Sequence, residues 1–66
     1  MDSNKIAERL RELRGYKPRR VVAGDLGISE SALTAYESGL RVPRDEVKIK
    51  LADYYDTSVE TIFFAD

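Results

Sequence analysis

The chain contains no cysteine and no histidine. The first absence excludes disulfide staples, zinc–thiolate sites and thiol nucleophiles, and the second removes the commonest metal ligand and general base. Most enzyme chemistry goes with them, because the remaining Ser, Tyr and carboxylates pair no nucleophile with a base at a recognisable spacing. Neither a metal, a cofactor nor a small-molecule ligand is expected. Long apolar runs are also missing: nothing approaches the ~20 residues that span a bilayer, and Met1-Asp2-Ser3-Asn4-Lys5 does not lead into a signal-peptide stretch. No membrane partner and a cytoplasmic location are therefore expected. No β-strand alternation, internal repeat or low-complexity segment interrupts the chain.

What is present is a soluble globular balance, 42% hydrophobic and 35% charged residues in 66. A chain of this size buries only ~60% of its unfolded surface, which leaves room for one core, so residues 1–66 read as a single domain. The net charge of -1 conceals a gradient. Residues 1–20 carry seven basic and three acidic side chains, residues 21–44 two and three, and residues 45–66 two and six. The front is basic and the tail acidic, a polarity that orients a small protein toward a polyanion despite its near-zero sum. On charge alone, ordinary solvated helix faces are the simpler reading.

Apolar periodicity predicts five short helices. Ile6, Leu10 and Leu13, with Ala7, form one stripe of a helix over about 4–14, capped by Ser3 or Asn4 and stopped by Gly15. Pro18 suits a first helical position, and a second helix to about Leu26 would bury Val22, Ala23 and Leu26. Ser29 is the expected N-cap of a third helix, with Ile28 and Leu33 as a hydrophobic staple and Gly39 as the stop near Ser38. Pro43 marks a fourth helix over about 43–55, with Val47, Leu51 and Tyr54 or Tyr55 on its apolar side. Thr57 and Glu60 read as a capping box for a fifth helix containing Val59, Ile62 and Phe63.

The second and third helices are separated by about three residues centred on Gly27, the spacing of two helices crossing steeply. Such a crossing needs a small side chain at the contact, supplied by Ala23, and a residue tolerant of positive φ in the turn, supplied by Gly27. Val22, Leu26, Ile28, Leu33 and Tyr36 fill the wedge between them. Residues 19–38 thus read as a helix-turn-helix.

These residues resemble the lambdoid repressor and Cro-like (XRE) helix-turn-helix proteins. The likeness is carried by Leu10-Arg11-Glu12, Ala23 through Gly27-Ile28-Ser29, Tyr36-Glu37-Ser38-Gly39, Arg41 and Pro43, and Ser58-Val59-Glu60-Thr61-Ile62-Phe63. The resemblance implies an all-α, compact five-helix lambda-repressor-like DNA-binding domain. It further implies a homodimer on a pseudo-palindromic operator of double-stranded DNA, with the third helix in the major groove. The run from Gly15 to Arg19 is one residue longer than usual in that family. Arg19 also stands where a Gln commonly begins the second helix and holds a phosphate, a task a guanidinium performs with a charged fork.

Arg19 and Arg20 sit in the first turn of the second helix, where the dipole disfavours cations by a few tenths of a kcal/mol each. A phosphate docked there accounts for them; a solvated face is the alternative. Lys17 is a weaker member of this patch. For Arg41 and Arg44, around Pro43, the resemblance implies contacts to the DNA backbone, and for Arg44 also insertion into a narrow minor groove, against plain exposed loop charge. The resemblance pairs Glu37 with Arg11, which would present Arg11 to a phosphate. Base reading falls to Ser29, Glu30, Ser31, Thr34, Ala35 and Ser38, on the side away from Leu33 and Tyr36. That helix has no Lys, Arg, Asn or Gln, so bidentate contacts to guanine or adenine are unavailable. Glu30 suits a cytosine amino group, Ser31 and Thr34 several bases, and Ala35 or the Thr34 methyl thymine, with the remainder read through water or DNA shape.

Phe64 follows Phe63 and points about 100° away around the helix. Beside Ile62 and Ala65 it suggests a self-association patch, the alternative being an aromatic folded back on the first or fourth helix. Tyr16, Tyr54 and Tyr55 read as core or rim aromatics. The expected function is a sequence-specific DNA-binding transcriptional regulator, a repressor without catalytic activity. The second reading is a protein-interaction module, an antitoxin or adaptor keeping the fold with weak or no DNA binding, which the cation-free helix and negative total favour.

Overall fold

The computed structural model describes residues 2–65, and among these every regular element is helical. They are α1 (Ser3–Arg14), α2 (Arg19–Leu26), α3 (Glu30–Glu37), α4 (Asp45–Tyr54) and α5 (Glu60–Phe64). None is long and apolar enough to cross a membrane. α3 packs against both α1 and α2, α5 lies on α1, and α4 on α2. One core unites them: Ile6 and Leu10 of α1, Val22, Ala23 and Leu26 of α2, Leu33 and Tyr36 of α3, Val47, Leu51 and Ala52 of α4, and Ile62 and Phe63 of α5.

The expected boundaries shift by a residue or two, each for a local reason. α1 is capped by Asp2, not by Ser3 or Asn4: its Oδ1 accepts from the N–H groups of Asn4 (2.9 Å) and Lys5 (3.2 Å), and a carboxylate also complements the positive helix end. Pro18 precedes α2 in extended conformation and its carbonyl accepts from Val21 and Val22. Pro43 is fully buried and lies outside α4, whose N-cap is Arg44 and whose first turn carries Asp45 and Glu46. The cap of α5 is Ser58, since the Thr57 N–H is committed to the Ala52 carbonyl that closes α4. Ser58 Oγ accepts from the Thr61 N–H at 3.0 Å and meets Thr61 Oγ1 at 2.7 Å, so Glu60 is not the returning partner. α5 itself is a single wide turn, closed by the Ala65 N–H on the Glu60 carbonyl at 2.8 Å.

Leu13 departs from the expected stripe. It is 39% exposed and lines an open groove with Glu12, Thr57 and Thr61. Arg9 supplies an unforeseen tie between the chain's two ends: Nη1 donates to the Ile62 carbonyl at 2.9 Å and Nη2 to the Ala65 carbonyl at 2.7 Å. Those carbonyls lie at the C-terminal end of α5, where a helix leaves its last carbonyls without intrahelical donors, and the guanidinium supplies the donors.

Candidate nucleic-acid interface

The turn between α2 and α3 is a Schellman closure. Gly27 adopts φ 72° and ψ 29°, its N–H donates to the Gly24 carbonyl at 3.2 Å, and the Ile28 N–H reaches back to the Ala23 carbonyl at 3.0 Å. A side chain at Gly27 would meet no atom, so the glycine serves backbone conformation alone. Ser29 then caps α3, its Oγ accepting from the Ala32 N–H at 3.0 Å. With Ala23 and Leu33 buried and Ile28 packed on the core, the wedge is filled as its residue types require.

That packing determines which side of α3 faces outward. Glu30, Ser31, Thr34 and Ser38 are exposed and Ala35 is half-buried. Glu30, Ser31, Thr34 and Ala35 line one groove, joined by Leu40. Two of the six candidate readers have other bonds. Ser29 Oγ is the cap acceptor, and the Ser38 hydroxyl donates to the Thr34 carbonyl of its own helix.

The basic residues divide likewise. Glu37 is buried with its carboxylate wholly enclosed, and it gathers cations from two other helices. Arg14 Nε lies 2.8 Å from Oε2 and 3.0 Å from Oε1, and Arg19 Nε lies 2.8 Å from Oε1. The expected Arg11–Glu37 ion pair is therefore replaced. Arg11 Nη1 donates to the Glu37 backbone carbonyl, while Arg14, one turn later on α1, takes the carboxylate. Both arginines satisfy a helical spacing, which is why sequence alone did not separate them. Arg14 also donates through Nη1 to the Lys17 carbonyl at 2.9 Å and is only 16% exposed, so it is structural. Arg19 is 40% exposed, and its one side-chain hydrogen bond among the described residues uses Nε. The far edge of its guanidinium is thus turned outward beside the C-terminal end of α3.

Arg41 is exposed with its guanidinium carbon 5.6 Å from the centre of the Tyr36 ring, which anchors it next to α3. Arg20 is exposed and has no ion-pair partner among the described residues. Arg44 is also exposed, 2.9 Å from Glu46. Lys17 is held away from this group: its Nζ sits 4.8 Å from the Tyr54 ring centre and 3.9 Å from Asp25, and Tyr54 donates to Asp25 at 2.7 Å. The Tyr54 side chain first, and Asp25 after it, raise the Lys17 pKa above its ordinary value. The structure thus brings Arg19, Arg41 and Arg11 to α3 and leaves Lys17 in a cluster on α2 and α4.

At the far end of the chain, Ile62 is 1% exposed and is part of the core. It is thereby removed from the expected self-association patch, because the wide turn of α5 points Ile62 and Phe63 inward together. Phe64 is 57% exposed and Ala65 exposed. The Lys48 ammonium lies 5.3 Å from the Phe64 ring centre and 5.8 Å from that of Phe63, so Phe64 leans on α4 while most of its surface faces solvent.

Comparison with protein families matches residues 5–62 to the helix-turn-helix domain. No curated protein and no solved structure gives a significant match.

Proposed function

The chain belongs to the helix-turn-helix domain family, in the XRE and Cro-like clan, and from that membership we propose that it is a sequence-specific transcriptional regulator. It acts without catalysis, as a cytoplasmic repressor that binds a pseudo-palindromic operator as a homodimer and covers promoter DNA. The single observation supporting this most directly is the outward face of α3, Glu30, Ser31, Thr34 and Ala35, with Arg19 and Arg41 fixed beside it by Glu37 and Tyr36. Phosphate contacts are assigned to Arg11, Arg19, Arg20, Arg41 and Arg44, with Lys17 joining only if it leaves Asp25 and Tyr54. Base contacts fall mainly to Glu30, Ser31, Thr34 and Ala35. Ser29 and Ser38 contribute through whatever hydrogen-bonding capacity their capping roles leave.

Dimerisation is assigned to Phe64 and Ala65. Two copies of α3 related by a two-fold axis and about 34 Å apart would meet successive major grooves on one face of the duplex. Selection of bound sites from random duplexes tests the reading. Enriched sequences with two-fold symmetry and half-sites one helical turn apart are expected. A pool without enrichment would instead support the protein-interaction module, which the cation-free α3 favours.

A further inference from the structure

Leu40 is 80% exposed immediately after α3, where an ordinary solvated turn has no need of a large apolar group. A scattered surface leucine is common, but the position of this one is specific. Its N–H donates to the Ala35 carbonyl at 3.0 Å and Gly39 before it holds φ 78°, so a second Schellman closure fixes its backbone against the helix end. Its side chain shares the groove formed by Glu30, Ser31, Thr34 and Ala35. That groove is acidic at the N-terminal end of α3 and apolar where Ala35 and Leu40 meet.

We propose that Leu40 is a specificity-determining residue that reads the C5-methyl group of thymine in the DNA major groove, with Ala35 beside it. The proposal rests on the DNA-binding reading above. The thymine methyl is the apolar feature of the base edges in the major groove, and an exposed leucine gains by removing that methyl and itself from water. Polar readers that would favour purines are missing from α3. Glu30 accepts from the cytosine amino group and repels the acceptor edge of guanine. The groove therefore offers an acceptor for a base amino group at Glu30 and an apolar contact for the thymine methyl at Leu40. DNA is the occupant its surroundings favour, because Arg19 and Arg41 flank the same end of α3 and attract a polyanion.

The test uses the full chain and the duplex pool enriched from a random library, resynthesised with deoxyuridine in place of thymidine. Loss of each contacted methyl is expected to weaken binding about fourfold, the value of one buried CH2 group. In Leu40→Ala that thymine-to-uracil ratio should fall clearly below the native value, the remainder being carried by Ala35 and Thr34, while melting is nearly unchanged because the side chain is exposed. Arg20→Ala should weaken binding to both pools and leave the ratio alone. A native protein that binds both pools equally, or a Leu40→Ala variant that keeps the full ratio, would overturn the assignment while leaving DNA binding intact. No enrichment from the thymidine library would remove the DNA-binding reading and this inference with it.

Discussion

Arg19 Nε lies 2.8 Å from Glu37 Oε1, so the first residue of α2 is bonded to the last residue of α3. The two helices are joined by Gly27-Ile28-Ser29 at one end and by this ion pair at the other, which closes the motif into a ring. Arg14 fastens the same carboxylate to α1. A buried carboxylate is costly unless every oxygen is satisfied, and here Nε groups from two arginines satisfy it.

Removing Glu37 would leave the Nε groups of two arginines without their acceptor in the buried site. Glu37→Ala is expected to cost about 3–5 kcal/mol, comparable with the whole stability of a small domain, and urea unfolding at 25 °C would show a largely unfolded chain. The two arginines should differ, since Arg14 is 16% exposed and Arg19 40%. Arg14→Ala should therefore destabilise more than Arg19→Ala, whereas Arg19→Ala should weaken DNA binding. The reverse order of stabilities would show that the closure of α2 on α3, not the tie to α1, dominates.

Tyr55 is the one buried side-chain polar atom without a hydrogen-bond partner among the described residues. Burial first, and the nearby Glu37 charge next, push its pKa up to about 12 from 10.0. A raised pKa favours the folded state fully below pH 10, and that contribution is lost between about 10 and 12 as the unfolded chain releases its proton first. Tyr55→Phe deletes both the orphan hydroxyl and this titration. It should raise stability at pH 7 by roughly 1 kcal/mol and flatten the decline measured by chemical unfolding above pH 10. A variant less stable at neutral pH would mean that the hydroxyl has a partner in solution.

Ile62 and Phe64 are two residues apart and should behave oppositely. Ile62→Ala creates a cavity in the core and is expected to cost about 2–5 kcal/mol. Phe64→Ser should leave the unfolding curve close to native, with a small loss from the Lys48 contact, yet shift sedimentation from dimer to monomer. A native chain that sediments as a monomer at concentrations where it binds DNA would dispose of the Phe64 interface.

Much of this arrangement is written locally and was legible for that reason. The order of helices follows from apolar spacing and from Gly15, Gly27 and Gly39, all three of which take positive φ. Asp56 takes it too, at 55°, closing α4 without the glycine that would have announced it. The partners of Glu37 were not legible, because Arg11 and Arg14 sit one turn apart on α1 and only the tertiary angle of α3 chooses between them. The role of Arg9 is hidden for a similar reason: it bonds to backbone carbonyls more than fifty residues away, which carry no side-chain signature. On α3, the type of each outward residue was readable, whereas the place of Leu40 in the same groove depends on how Gly39 turns the chain back.

Arg20 and Lys17 lie three residues apart, and their environments predict different shares of the electrostatic binding energy. Arg20 is exposed without an ion-pair partner among the described residues, whereas Lys17 is engaged by Asp25 and the Tyr54 ring. Each phosphate neutralised contributes about -0.9 to the slope of log K against log salt. Arg20→Ala should make that slope shallower by about 0.9 per subunit, or about 1.8 for a dimer engaging both half-sites. Lys17→Ala should change it less, because its ammonium is already compensated before DNA arrives. Titrations of the selected duplex across a range of potassium chloride concentrations separate the two. Equal slope changes would mean that DNA pulls Lys17 away from Asp25. An unchanged slope in Arg20→Ala would place the phosphate backbone elsewhere on the molecule.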